Sequence, residues 1–342
     1  MPSADRRVRS TVVKALLTGG VGFIGSHLTD SLLARGWTVV GVDDLSKGRL
    51  SNVAHNLERA DYEFVEMDCR DQGRLAELGR GADVIVHLAA TKIPRDGGRL
   101  GNVTTNLEGG RSALEAARDN DARYVLASTS DVYGNRPDFP FTEDGITVSG
   151  PSTVARWVYG IGKLADEHMA FGYQEEYGVP VTILRFFGSY GERQYLNWWG
   201  GPQGVFLEAI SKGEPMTVHG DGSQIRCFTH IDDMTEATAR AVERPEVAGE
   251  VINIGNDEEI TIMGLAELMH ELSGVGGEPR IELVPYEQVG AGGYQDVLKR
   301  IPDLTKQREL LGFEPRIGLE EGIRRLWKWY RERSERDEAV RA

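Results

Sequence analysis

Residues 18–28 read Thr-Gly-Gly-Val-Gly-Phe-Ile-Gly-Ser-His-Leu and follow a short apolar run, Val12 to Leu17. An apolar strand, a glycine-rich turn and then a helix make the geometry that receives a dinucleotide pyrophosphate. Gly19, Gly22 and Gly25 keep a G-x-x-G-x-x-G spacing. Lacking a Cβ, they allow a sharp turn, let backbone N–H groups approach phosphate, and let helix pack closely on strand. The helix N-terminus adds about half a positive charge facing the anion. Gly19, Gly22, Phe23, Ile24 and Gly25 are therefore assigned to a dinucleotide. The turn says nothing about a substrate.

Outward from the turn, a helix is predicted from about Ser26 to Arg35, ended by Gly36, and a strand over Thr38–Val42. Tyr62–Glu66, Val84–Leu88, Tyr124–Ala127 and Val181–Arg185 read as further strands. Helical segments lie between them, among them Leu107–Asp119 and Tyr159–Tyr177. Short apolar strands alternating with helices predict the α/β class, a Rossmann-like doubly wound parallel sheet covered on both faces. After Gly188 the rhythm is lost, and residues 191–204 are rich in Gly, Trp and polar groups. Val251–Ile254 is predicted to return to the sheet. The expected division is a nucleotide-binding Rossmann domain over 11–187, with the returning strand near 251–254. A smaller, mixed C-terminal substrate lobe, interleaved with it, is expected over 188–330. Met1 to Ser10 is expected to be a frayed arm without a signal peptide, and Arg324 to Ala342 a charged helix.

The 342 residues are 40% hydrophobic and 27% charged, ordinary for a globular chain. A formal net charge of −14 argues against nucleic-acid or anionic-membrane partners, which need a basic surface. An anionic ligand would require a local cluster of arginine or lysine. No apolar run approaches the ~18 residues of a membrane helix. Cys69 and Cys227 stand far apart in no metal-ligand spacing, so no metal is expected, and a cytoplasmic, reducing location is.

Asp43 ends the second strand, 18 residues beyond Gly25. A carboxylate there accepts hydrogen bonds from an adenosine ribose and repels a 2′-phosphate, which favours NAD over NADP. Asp44 is a second candidate for the same task. Tyr159 and Lys163 lie i and i+4 on one helix face in Tyr-Gly-Ile-Gly-Lys. A tyrosine is a poor base at neutral pH, but a nearby ammonium and a nicotinamide charge favour its phenolate. The strand that precedes them ends Ser128-Thr129-Ser130-Asp131-Val132-Tyr133-Gly134.

On these residues, from Val12 to about Trp329, the chain resembles an extended short-chain dehydrogenase/reductase of the nucleotide-sugar epimerase, dehydratase and decarboxylase group. The resemblance implies a catalytic hydroxyl at Thr129 beside Tyr159 and Lys163, an adenine-contacting acid at Asp68, and a loop lining NAD at Leu88, Ala89, Ala90 and Lys92. It implies a structural asparagine at Asn106 and a homodimer formed through the two amphipathic helices. Arg226, in Arg-Cys-Phe-Thr-His-Ile-Asp-Asp, matches the family's diphosphate-binding arginine, and Arg300 looks like a second. Thr217 and His219 fall where relatives contact uracil. Gly188 stands where the family often has Asn, removing one side-chain donor from a turn near the phosphates. Trp198 and Trp199 lie in the segment that closes over the sugar in relatives, or else anchor the lobe.

The group shares an opening step, oxidation at the sugar C4, after which the reactions part. A 4,6-dehydratase uses an Asp-Glu pair after the threonine, and Ser130-Asp131 is not that pair. UDP-glucuronate decarboxylases resemble the chain in a Thr-Ser-Glu segment, here Thr129-Ser130-Asp131. Some bacterial members also share a Gly-Tyr-Gln-Asp-Val…Arg segment, here running through Tyr294 to Arg300. The resemblance implies that Ser130 and Arg300 place a substrate carboxylate, with Tyr294 beside the substrate. Asp131 would then orient the sugar or deliver a proton to C5, or else serve as a structural hydrogen-bonder at the strand end. The implied reaction is NAD-dependent decarboxylation of UDP-glucuronate to a UDP-4-keto-pentose or UDP-xylose. The alternatives are a 4-epimerase of UDP-glucose, UDP-N-acetylglucosamine or UDP-glucuronate, and a non-catalytic NAD-binding protein.

Overall fold

Residues 13–92, 94–289 and 295–341 are described by the structure, a computed structural model. In chain order they form β1 (Lys14–Thr18), α1 (Phe23–Ala34), β2 (Thr38–Asp43), β3 (Tyr62–Glu66), α2 (Gln72–Leu78), β4 (Val84–His87), α3 (Pro94–Asp119), β5 (Arg123–Thr129), α4 (Val158–Tyr177) and β6 (Val181–Phe186). There follow β7 (Gly188–Tyr190), α5 (Pro202–Lys212), β8 (Met216–His219), β9 (Ile225–His230), α6 (Ile231–Glu243), β10 (Val251–Ile254), β11 (Glu259–Thr261) and α7 (Ile262–Ser273). The last elements are β12 (Ile281–Val284), β13 (Lys299–Arg300), α8 (Thr305–Leu311) and α9 (Leu319–Arg341).

Seven strands pair in the order β10–β6–β5–β4–β1–β2–β3, and every pairing in this sheet is parallel. Alternation of side chains sends Leu16 and Leu17 into opposite cores. One face buries Leu17 with Leu28, Val86, Leu184 and Ile252; the other buries Leu16 with Ile85, Leu114 and Leu126. All six residues of β6 are buried, as a strand covered on both faces requires. Val251–Ile254 does return, pairing with β6 from Val251 opposite Ile183.

The remaining segments gather around a third core, where Phe206, Leu207, Leu265, Met269, Ile323 and Trp327 meet. Its strands are short: β9 runs parallel to β7 and β13 and antiparallel to β11, and β8 pairs with β12. The last helix begins at Leu319 rather than near Arg324, because Leu319 and Ile323 are buried in this core. Helix α1 begins three residues before the expected Ser26, since Gly25 must sit inside the first turn. A Cβ there would stand 2.0 Å from the Gly19 carbonyl oxygen. Helix α3 starts at Pro94 rather than Leu107, across a break at Gly98 (φ 66°). The arm Met1–Ser10 lies outside the described residues. No helix among the described residues is long and apolar enough to cross a membrane.

Candidate active site

The carboxyl ends of β1, β2, β4 and β5 open on one edge of the sheet, where ligands of open α/β folds bind. Gly22 caps α1 without any side chain, so the first N–H groups of the helix face the turn. Gly19 has φ 71°, and a Cβ on it would stand 2.9 Å from the Ala89 nitrogen. The glycine turn therefore packs directly on the Leu88-Ala89-Ala90 loop, and Thr18 Oγ1 accepts the Ala89 N–H at 3.3 Å. Asn106 secures the end of that loop: Oδ1 accepts the Thr91 N–H at 2.7 Å and Nδ2 donates to the Thr91 oxygen at 3.2 Å.

Asp43 is buried at the end of β2, where its carboxylate accepts the Leu45 N–H at 2.9 Å and burial raises its affinity for a proton. Asp44 is exposed and turned to Ser46, which makes Asp43 the better placed of the two. Asp68 is paired with Arg70 two residues on, at 2.5 Å. These residues fit a dinucleotide. The backbone cradle exists only because three positions lack a Cβ, and an acid closes the second strand where a ribose would lie.

Thr129 ends β5, and its Oγ1 accepts the Asp131 N–H at 3.2 Å, capping a single tight turn over Ser130–Tyr133. Helix α4 starts against that turn. A Cβ on Gly160 would stand 2.5 Å from the Asp131 carbonyl oxygen, so the glycine after Tyr159 is what lets the tyrosine reach Thr129. Thr129 lies near enough to Tyr159 to lower its phenol. Beneath them Arg185 binds Glu167 through Nε (3.1 Å) and Nη2 (2.7 Å), a buried fork tying α4 to β6.

Lys163 is buried on the same helix face and donates from Nζ to Asp166 Oδ2 at 2.9 Å. In this arrangement its ammonium is matched by the Asp166 carboxylate. Burial, then Asp131 and Asp166, push the Tyr159 phenol above its ordinary range, and Thr129 lowers it. Asp166, one turn beyond Lys163, was not foreseen; an acid at i+3 to a helical lysine reads as a surface pair until burial is known.

Asp131 is the electrostatic centre of the site. Its Oδ1 lies 2.7 Å from Arg156 Nη2 and 2.9 Å from Arg300 Nη2. Lys92 adds a further positive charge. Burial would raise the carboxyl, yet Arg156 and then Arg300 hold it well below the usual carboxylate range. Such an acid stays ionised, which speaks for orienting the cations and against delivering a proton to C5. Lys92 is exposed as a residue, while desolvation of its ammonium lowers it, opposed by Asp131 and assisted by Arg300 and Arg156. Arg156 was missed. Standing three residues before Tyr159, it has the spacing of a same-face neighbour, but only the tight turn at Ser130–Tyr133 reveals what it faces.

Arg226 is held by Asp296 at 2.8 Å, and Gln224 Nε2 donates to the Tyr286 hydroxyl at 2.8 Å. Gln295 Oε1 accepts the Trp157 indole N–H at 3.2 Å, so residues 295–300 touch Trp157, Arg226 and Asp131 in succession. Trp198 stacks on His219 with centroids 4.3 Å apart, and Lys47 Nζ lies 4.7 Å from the Trp199 ring centre. Neither tryptophan belongs to a hydrophobic core. Thr217 is half-buried on β8, and Gly188 opens β7, where a Cβ would press on Phe228 at 2.9 Å. Tyr294 lies outside the described residues. Glu192, His230 and Asp232 also converge, but His230 Nδ1 accepts the Asp232 N–H (3.3 Å) and Nε2 faces Glu192 at 3.4 Å, the arrangement of a helix cap.

Comparison with known proteins places these features. The model of the NAD dependent epimerase/dehydratase family matches residues 15–255. A UDP-N-acetyl-alpha-D-glucosaminuronate decarboxylase of Bacillus cytotoxicus is 36% identical over 324 residues, 93% of this chain and 98% of the relative. UDP-glucuronic acid decarboxylase 4 of Arabidopsis thaliana is 34% identical over 328 residues, 95% of this chain and 70% of the relative. A UDP-glucuronic acid 4-epimerase of Bacillus cereus, solved with UDP-glucuronic acid and NAD, superposes with a TM-score of 0.83 at 28% identity, covering 94% of this chain and 99% of that one.

Proposed function

We propose that this chain, which belongs to the NAD dependent epimerase/dehydratase family, decarboxylates a UDP-uronate, UDP-glucuronate first among them, through a 4-keto intermediate to a UDP-4-keto-pentose or UDP-xylose. The observation that carries the reading is the charge at Asp131. Arg156, Arg300 and Lys92 converge on one carboxylate, leaving positive charge for a second anion within reach of Thr129 and Tyr159. A neutral sugar brings no such anion, and a uronate does. This local excess stands against a chain of net charge −14.

NAD is the cofactor, and when bound it takes up hydride from the sugar C4. Gly19, Gly22, Gly25 and Asp43 would hold it. Tyr159, beside Thr129, takes the proton of the 4-hydroxyl, and Thr129 keeps that oxygen in place. Ketone and carboxylate then stand in β relation, so the bond between C5 and the carboxyl carbon breaks with its electron pair delocalised onto the 4-oxygen. CO2 leaves and C5 takes a proton from water, giving the UDP-4-keto-pentose, which becomes UDP-xylose only where the hydride is returned to C4. Arg300, Arg156 and Ser130 receive the carboxylate; Arg226 faces the diphosphate, with Thr217 and His219 toward the base.

Incubation with UDP-glucuronate and NAD, followed by mass analysis, tests the reading: loss of the mass of CO2 is expected. Unchanged mass with a new C4 stereochemistry would replace it by 4-epimerisation. UDP-N-acetylglucosaminuronate belongs in the same assay, because the 36%-identical relative is named for that substrate. A homodimer through α3 and α4 is part of the proposal, supported by Ile161 of α4, 44% exposed. Sedimentation at a single-chain mass would refute it. A reducing, cytoplasmic location is likewise proposed, in keeping with two free cysteines.

A further inference from the structure

We propose that Asp166 is a positioning residue for the Tyr159–Lys163 pair: it is the counter-ion that holds Lys163 inward, and Lys163 assists Tyr159 only as far as Asp166 releases it. This deepens the functional reading above and rests on it for the role of Tyr159.

Geometry supports it from two sides. The Lys163 and Asp166 side chains are each 1% exposed, and Lys163 Nζ donates to Asp166 Oδ2 at 2.9 Å. Helix α3 is shaped to admit the acid: a Cβ on Gly110 would stand 2.8 Å from Asp166 Oδ1. That second oxygen has no hydrogen-bond partner among the described residues. A buried carboxylate with a single cationic partner binds that partner strongly, because separating them would leave two unpaired charges in a poorly solvated pocket.

The consequence for Tyr159 follows from Coulomb's law. A lone ammonium one helical turn away would favour the phenolate, whereas an ammonium neutralised by its own carboxylate leaves only a dipole. The other groups around the pair are few. From α4 come Tyr159 and Glu167, from β5 Tyr124, from β4 His87, and from the turn after β5 Asp131. Asp131 is answered by Arg156 and Arg300, Glu167 by Arg185, and His87 is kept neutral by burial. Asp166 is therefore the acid whose removal most directly frees the charge on Lys163.

The test replaces Asp166 by asparagine, which keeps shape and removes charge. In the NAD-loaded chain, tyrosinate absorbance is titrated for D166N and for D166N with Y159F, and the difference isolates Tyr159. Its midpoint is expected about one pH unit below that of the unsubstituted chain, with the acid limb of kcat/KM shifted likewise and D166E returning both. A Tyr159 midpoint unchanged in D166N overturns the proposal. Should D166N not fold, the 13C carboxyl resonance of Asp166 in the unsubstituted chain carries the test. It is expected to move when NAD is added, and a resonance indifferent to NAD overturns the proposal. Neither titration needs a sugar, so the outcome is separate from whether UDP-glucuronate is decarboxylated.

Discussion

Arg300 Nη2 lies 2.9 Å from Asp131 Oδ1, although the two residues are 169 positions apart and Arg300 sits on a strand of two residues. The same oxygen is 2.7 Å from Arg156. A guanidinium has five donors, so the bond to one carboxylate oxygen leaves the Arg300 fork able to meet a further anion.

Replacing Arg300 by alanine should lower kcat/KM for UDP-glucuronate by about 10²- to 10³-fold, the cost of removing one of the two guanidiniums that meet the substrate carboxylate. Inhibition by UDP-glucose, which has no carboxylate, should change by less than about threefold. Steady-state kinetics with both nucleotides checks this. An equal loss for both would place Arg300 at the diphosphate instead.

Tyr159→Phe should retain NAD at the unsubstituted stoichiometry while turnover falls about 10³-fold, the scale of a lost general base. Cofactor content after denaturation and product formation are the two measurements. Unaltered turnover would leave NAD binding as the function.

Gly160→Ala and Gly162→Ala lie two residues apart on one helix and should behave oppositely. At Gly160 the added Cβ meets the Asp131 carbonyl at 2.5 Å, and α4 must shift away from Thr129. Turnover should fall about 10²-fold, as expected when a base is displaced by an ångström. At Gly162 the nearest atom is Asn106 Nδ2 at 4.0 Å, so alanine should fit and stabilise the helix by up to ~1 kcal/mol. Thermal unfolding and kinetics of both variants separate the two effects.

His87 gives the protein an acid-sensitive core. Burial, assisted by Lys163, lowers its ring to about 3, and its Nδ1 is 2.7 Å from Thr18 Oγ1. The unfolded chain takes up a proton here below about pH 6.5 and the folded chain does not, so stability rises with pH across that window. One proton amounts to about 1.4 kcal/mol per pH unit between roughly pH 6 and pH 4. His87→Asn should flatten the dependence of unfolding free energy on pH by that slope. An unchanged slope would mean that the ring is charged in the folded state.

Much of the fold was legible because its signals are local. Tyr62–Glu66 and Val251–Ile254 are strands at the expected residues, since short stretches rich in β-branched and aromatic residues favour an extended backbone. Boundaries moved where packing overrode propensity, as at Gly25, whose approach to Gly19 draws the start of α1 forward. Asp43 and Tyr159 were named from spacings along the chain, and Thr129 from the resemblance to a family.

Arg156 and Asp166 were not found, although each lies near Tyr159 in the chain. A charged residue one helical turn from another looks the same in sequence whether water or protein surrounds it. Sequence alone determined the alternation of strand and helix, the glycine cradle and the helix face that carries Tyr159 and Lys163, because backbone sterics and helical period act over a few residues. Tertiary structure alone decided that Lys163 is matched by Asp166 and that Arg156 and Arg300 share Asp131. The strength of an ion pair depends on burial, and burial is a property of segments far apart in the chain.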